Sequence, residues 1–171
     1  MMQETDIHAL AMALAKGMTA RLMLKWDSEG LAPRDFFSMD ATDASAALGI
    51  TSRHSLASVR REELLERAER ELSFIDRHNV RAYLCTDREY PYRLLQNYSA
   101  PPVLFTYGNG PLQSEHVISV VGTRRPSAYG LKWCESIVEA CCGQCDDIQV
   151  VSGLAYGVDA CAHNAALAAG R

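Results

Sequence analysis

Apolar positions in the first part of the chain recur with the period of a helix. Ile7, Leu10, Ala11 and Leu14 form one stripe, and Lys16-Gly17 interrupts it. A second short helix is predicted over 18–26, ending at a loop marked by Asp27-Ser28-Glu29-Gly30 and Pro33. Weaker helical pieces follow at 33–39 and 43–48. The clearest helix runs over 60–78, where Leu64, Leu65, Ala68, Leu72 and Ile75 share a face. Its outer face carries Glu63 before Arg67 and Glu66 before Arg70, pairs in the favourable i,i+4 order. That mixture of signs reads as a solvated face rather than a nucleic-acid surface. The whole of 4–78 is therefore expected to be helical with short breaks. The turn Lys16-Gly17-Met18-Thr19 offers one glycine, so the first helix pair reads as packing ahead of a phosphate-gripping hairpin.

Near residue 80 the pattern changes to short apolar runs alternating with helical stretches. Strands are expected at 80–85, 103–107, 117–121 and 148–151, the last two buried. A helical turn is expected at 92–96, and helices at 127–142, capped by Ser127, and 158–169. Strand, helix, strand, helix at this spacing implies a parallel sheet with right-handed crossovers. The expected fold class is α/β: a partial Rossmann-like parallel sheet over 80–171, preceded by a small all-helical N-terminal domain over 1–79, of the SAM or helix-hairpin-helix kind.

Composition narrows this picture in three places. The 171 residues, 48% of them apolar, suffice for a buried core. A formal charge of −4 argues against a purely electrostatic nucleic-acid binder but leaves room for a local basic site. No apolar run approaches the ~20 residues of a membrane helix, and 1–17 carries acids where an export signal would be basic, so a cytoplasmic protein without a membrane partner is expected. The six cysteines are expected as thiols. Cys142-Gly143-Gln144-Cys145 has the CxxC form, and with Cys134 or Cys141 it has the makings of a zinc site. It falls where a helix ends, however, whereas redox CxxC pairs open one. Structural cysteines are the preferred reading, with no metal and no cofactor.

The candidate chemistry lies in two loops that leave the carboxyl ends of the last two strands, the edge where ligands bind in parallel sheets. Each loop runs into a helix start, where free N–H groups and the helix dipole favour an anion. The first loop is Gly122-Thr123-Arg124-Arg125-Pro126-Ser127. Its glycine permits close approach, Thr123 adds a hydroxyl, and Arg124 a planar fork suited to phosphate. Arg125 is balanced between phosphate and solvent. The second is Ser152-Gly153-Leu154-Ala155-Tyr156-Gly157-Val158-Asp159. Ser152 and nearby amides suit a phosphate or ribose, and Tyr156 suits base stacking. Asp159 reads first as an N-cap, and second as a residue that shapes the pocket. His163 reads as packed or capped rather than catalytic. There is no GxGxxG, no GxxxxGK[ST] and no recognisable nucleophile–base pair.

Val120-Val121-Gly122-Thr123-Arg124, Tyr129-Gly130, the run from Val151 to Asp159, Ala162-His163 and Ala166-Leu167 follow one another at spacings that resemble the DNA-processing protein A family (DprA, also called Smf). Upstream, Tyr90-Pro91-Tyr92-Arg93-Leu94-Leu95, Ala100-Pro101-Pro102-Val103-Leu104-Phe105 and Gly108-Asn109 fit the same family. The resemblance is strong over about 80–171 and loose before it. It implies single-stranded DNA binding without catalysis in natural transformation and recombination. It also implies protection of incoming strands and help in loading a RecA-type recombinase onto strands coated by single-strand-binding protein. Carried over, Gly122, Thr123 and Arg124 correspond to the phosphate-holding group, and Ser152, Gly153, Gly157 and Asp159 to the second loop. Tyr156 stands where many relatives place a basic residue. Relatives also continue past Gly170-Arg171 with elements that complete the sheet and provide dimer and recombinase surfaces. A homodimer is thus expected of full-length relatives rather than of this chain, whose sheet is expected to expose an edge and apolar faces. Two rival readings are a phosphoribohydrolase-like nucleotide enzyme of a related fold, whose PGGxGT motif is absent here, and an inactive fragment.

Overall fold

The computed structural model describes residues 5–51 and 53–171. Glu4, where the helical reading begins, lies outside the described residues. The chain forms two compact units, the first extending to Leu112 and the second spanning Gln113–Arg171. The change of pattern near residue 80 is thus a change of secondary structure within the first unit.

The first unit is built from capped helices. Helix α1 (Ile7–Ala13) starts at Asp6, whose carboxylate accepts the His8 N–H at 2.8 Å. Helix α2 (Ala20–Ser28) starts at Thr19, whose hydroxyl accepts the Leu22 N–H at 3.2 Å. The turn between them is tied internally, with the Met18 N–H on the Ala15 carbonyl and Met18 itself buried. Short α3 (Asp35–Ser38) and α4 (Ala41–Leu48) follow, the latter capped by Asp40 through the N–H groups of Thr42 and Asp43. Helix α5 (Arg61–His78) ends at Asn79 in the left-handed conformation (φ 53°).

Residues Ala9 to Ala13 of α1 are all buried, so α1 is an enclosed helix rather than a one-sided stripe, and α5 and β1 pack against it. Small alanines allow that approach from several sides. The anchor of this core is Trp26, 2% exposed, whose indole N–H donates to the Ala32 carbonyl at 3.1 Å and whose ring meets Phe36 edge to face. Among the described residues the ion pairs involving α5 are Arg60–Glu63 and Arg67–Glu71, not the pairs expected from spacing. They lie on an exposed face and contribute little beside the core.

Strand β1 (Val80–Leu84) pairs with β2 (Val103–Tyr107) in antiparallel register, Val80 opposite Tyr107 and Leu84 opposite Val103. A parallel pairing would need a crossover helix, and the connection holds only the four-residue α6 (Tyr92–Leu95). Instead the connection folds onto the helical core. Tyr90 is 1% exposed, its hydroxyl donates to the Pro101 carbonyl at 2.7 Å, and burial pushes its pKa up to about 12.

The second unit is a β–α–β–α module. Strand β3 (His116–Ser119) and β4 (Ile148–Val151) are parallel, with His116 opposite Ile148 and Ser119 opposite Val151. Helices α7 (Ala128–Gln144) and α8 (Val158–Ala168) pack against each other over the sheet. The core joins Cys134, Val138 and Cys142 of α7 to Ala162, Ala165 and Ala166 of α8 and to Ile148. The i, i+4, i+8 spacing on α7 makes Cys134 and Cys142 small apolar fillers. Burial lifts the Cys134 thiol to about 11. Strand β3 is not buried on both faces as expected. Ile118 and Val120 pack on the core while Val117, Ser119 and Val121 are exposed, the alternation of a strand covered on one side.

Trp26→Ala is expected to cost about 3–5 kcal/mol of stability in urea unfolding. Trp26→Phe should lose less, because it keeps most of the ring against Phe36. Equal losses for the two variants would contradict the packing account.

Candidate nucleic-acid interface

The parallel pairing of β3 and β4 delivers two loops to one edge of the sheet. The Val120 N–H donates to the Val151 carbonyl at 3.0 Å, and the Ser152 hydroxyl donates to the Val120 carbonyl at 2.6 Å. The strands are therefore tied up to the point where the loops begin.

Asp159 then joins the loops. It is 4% exposed, and one carboxylate oxygen accepts the Gly122 N–H at 3.3 Å while the other accepts the Gly153 N–H at 3.2 Å. Burial pushes this carboxyl up. The Gly122, Ala155 and Gly153 amides pull it down and win, so it lies below the ordinary 3.8 and is ionised at neutral pH. The helix cap is Gly157, and Asp159 sits in the first turn of α8. The N-cap expectation for Asp159 is thus corrected to a clamp between the loops.

Two glycines are required by sterics. A Cβ on Gly122 would lie 2.7 Å from the Val158 side chain. Gly157 has φ +90°, and a Cβ there would run into the Thr123 carbonyl and lie 2.9 Å from the Arg124 Cα. The first loop thus rests directly on the start of α8, and the Val158 N–H donates to the Thr123 carbonyl at 3.2 Å. Leu154 takes the left-handed conformation (φ 55°) at a cost of about 1–2 kcal/mol. The Asp159 carboxylate, which draws on the amides on both sides of Leu154, holds it there.

These contacts change the expected electrostatics. The start of α8 was expected to present free N–H groups to an anion. Instead Val158 donates to Thr123, Ala160 to Ala155 and Cys161 to Gly157, while an ionised acid occupies the gap between the loops. At α7, Ser127 caps as expected, its hydroxyl accepting the Gly130 N–H at 3.2 Å. Positive charge at this edge comes from side chains. Arg124 and Arg125 are exposed, and among the described residues neither guanidinium meets a carboxylate. The Arg125 amide donates to the Thr123 hydroxyl at 3.2 Å, which braces the loop below them. Tyr156 is 86% exposed and adjoins Gly157, whose backbone touches that of Arg124.

The sequence-derived residues thus separate into two groups. Gly122, Ser152, Gly153, Gly157 and Asp159 hold the loops together. Thr123, Arg124, Arg125, Ser127 and Tyr156 lie toward solvent, except that the Ser127 hydroxyl is engaged in its cap. His163 is half-buried on α8. Sequence reasoning missed Val158, the side chain that makes Gly122 obligatory. The available signal was an acid two residues after a glycine at a helix start, which places a carboxylate among backbone donors.

The family model for DNA recombination-mediator protein A matches residues 81–171. A DNA processing protein DprA of Streptococcus pneumoniae (strain ATCC BAA-255 / R6) is 41% identical over 78 residues, 46% of this chain and 27% of the relative. A DNA processing protein DprA of Bacillus subtilis (strain 168) is 31% identical over 109 residues, 63% of this chain and 36% of the relative. The solved X-ray structure of DNA processing protein A (DprA) from Streptococcus pneumoniae superposes with a TM-score of 0.60 at 23% identity, over 98% of this chain and 56% of that one. The α/β Rossmann-like fold class is shared with that structure. The chain matches about a quarter to a third of the two curated relatives' length.

Asp159→Asn should lower stability at neutral pH. The native carboxyl lies below its ordinary value, so its contribution is full above 3.8 and disappears as pH falls through the native value. The gap between wild type and Asp159→Asn, measured by chemical denaturation, should therefore shrink below about pH 4. A gap independent of pH would refute the ionised clamp. Gly157→Ala should shift the amide resonances of Thr123 and Arg124 across the loop boundary.

Proposed function

The chain belongs to the DNA recombination-mediator protein A family, and from that premise we propose that it binds single-stranded DNA, without chemical catalysis, through the two clamped loops at the carboxyl edge of β3 and β4. One observation carries this reading: two exposed guanidiniums and an exposed tyrosine stand on a backbone fixed by Asp159, Gly122 and Gly157. Arg124 and Arg125 supply charge to the phosphates, with the Thr123 hydroxyl beside them. Tyr156 supplies a stacking face, which every base can use. Gly122, Ser152, Gly153, Gly157 and Asp159 act by shape, and Ser127 by starting α7. Asp159 occupies the gap between the loops, so the phosphates are met by the outward-facing guanidiniums rather than by the loop amides.

The names of the relatives, DNA processing proteins, support a DNA partner. In the same reading residues 80–171 belong to the family's Rossmann-like region, with β1 and β2 sharing a core with the helices that precede them. Its setting is natural transformation and recombination in the cytoplasm. Among the described residues no helix is long and apolar enough to cross a membrane. The same reading extends to delivery of strands to a RecA-type recombinase in the presence of single-strand-binding protein.

The test is binding of labelled oligo-dT across a salt series. Affinity should fall as salt rises, and Arg124→Ala should make the log–log slope shallower by about 0.7, one phosphate contact on a single strand. Tyr156→Ala should weaken binding by about 1–3 kcal/mol and leave the slope unchanged. A folded wild-type chain with no preference for single strands, or a slope indifferent to Arg124, would defeat the proposal.

A further inference from the structure

The opposite edge of the same strand pair carries a second group of chemistry-bearing side chains. His116 opens β3 opposite Ile148, which opens β4. The residues just before each strand, Glu115 and Asp147, therefore face each other across the ladder. The Glu115 N–H donates to the Asp147 carboxylate at 2.6 Å, which fixes that side chain against the strand start. One donor atom from each of Glu115, His116 and Asp147 lies within 4.8 Å of the other two. Two ligands on one ion, at bond lengths of about 2.0–2.2 Å, stand at most about 4.4 Å apart, so small side-chain rotations would close the set. All three residues are exposed, which leaves the remaining coordination positions to water.

We propose that Glu115, His116 and Asp147 bind a divalent first-row transition-metal ion at the amino edge of β3 and β4. The imidazole separates this group from an ordinary acidic patch. One nitrogen and two carboxylate donors suit manganese, iron, cobalt or zinc better than calcium, which takes oxygen ligands alone. The ion also neutralises two carboxylates that the ladder register brings together. It acts as a clip across the start of a parallel ladder only four residues long. The site is independent of the DNA-binding reading, because it occupies the edge away from the two loops. It is independent of the thiols too, since the CxxC pair belongs to α7 and its boundary.

Manganese is the probe of choice because its preference for oxygen and nitrogen avoids the six cysteines. In an amide NMR spectrum, substoichiometric Mn²⁺ should broaden Glu115, His116, Val117, Asp147 and Ile148 first and leave residues 122–127 sharp. His116→Ala should remove that focus with the rest of the spectrum unchanged, and Asp147→Asn should do the same while keeping an oxygen for the Glu115 N–H. Broadening spread over the acidic surface, or a focus that survives in both folded variants, would overturn the site.

Discussion

A buried carboxylate between two loops is the interaction on which the second unit's working edge depends. Asp159 draws amides from both loops, so neither loop has a conformation of its own. The arrangement works because the neighbouring residues make room for it. Gly122 leaves space for Val158, and Gly157 leaves space for the Thr123–Arg124 backbone. The clamp places a negative charge where a phosphate cradle would otherwise form. In exchange it gives a rigid platform, and a side chain mounted on a rigid platform loses less entropy on binding than one on a mobile loop. The division of labour follows: the interior of the loop pair is structural, and recognition passes to side chains on its outer surface.

The sheet beneath this edge obeys a different constraint. Two helices cover one face of two strands, so apolar side chains alternate between core and solvent. Val117, Val121 and Val151 lie on the uncovered side, and on α7 the residues Tyr129, Trp133 and Ile137 form an exposed row at helical spacing. The core itself is made of small residues, alanine on α8 and cysteine on α7, which lets the helices pack closely. Packing in this core accounts for Cys134 and Cys142, which fill it as small side chains.

Helix existence was legible from periodicity, and the start of α7 from Ser127, which accepts an N–H there. The caps at Asp6, Thr19 and Asp40 emerged only in the structure. The two parallel strands and their loops were legible from apolar runs that end on Gly122 and on Ser152-Gly153. What escaped is tertiary. The antiparallel pairing of β1 with β2 depends on how a long connection folds back, which no local pattern encodes. Tyr90 looked like a chain break beside Pro91, and its burial follows from a hydroxyl reaching the Pro101 carbonyl. On α5, spacing allowed several ion pairs, and the choice among them rests on rotamers of exposed side chains. At the site, Asp159 was read first as a cap, because capping is a local property, and only second as a residue that shapes the pocket. Its actual partners, Gly122 and Gly153, come from two separate loops.

The central claim is that the clamped loop pair is the surface that meets single-stranded DNA. The most direct measurement is an amide NMR titration of the intact chain with an unlabelled oligo-dT. The account predicts shifts centred on residues 122–127 and 152–157, largest at Arg124 and Tyr156, with Asp159 keeping its hydrogen-bonded environment. Shifts centred on the α1–α2 turn or another part of the first unit, with the two loops silent, would contradict it.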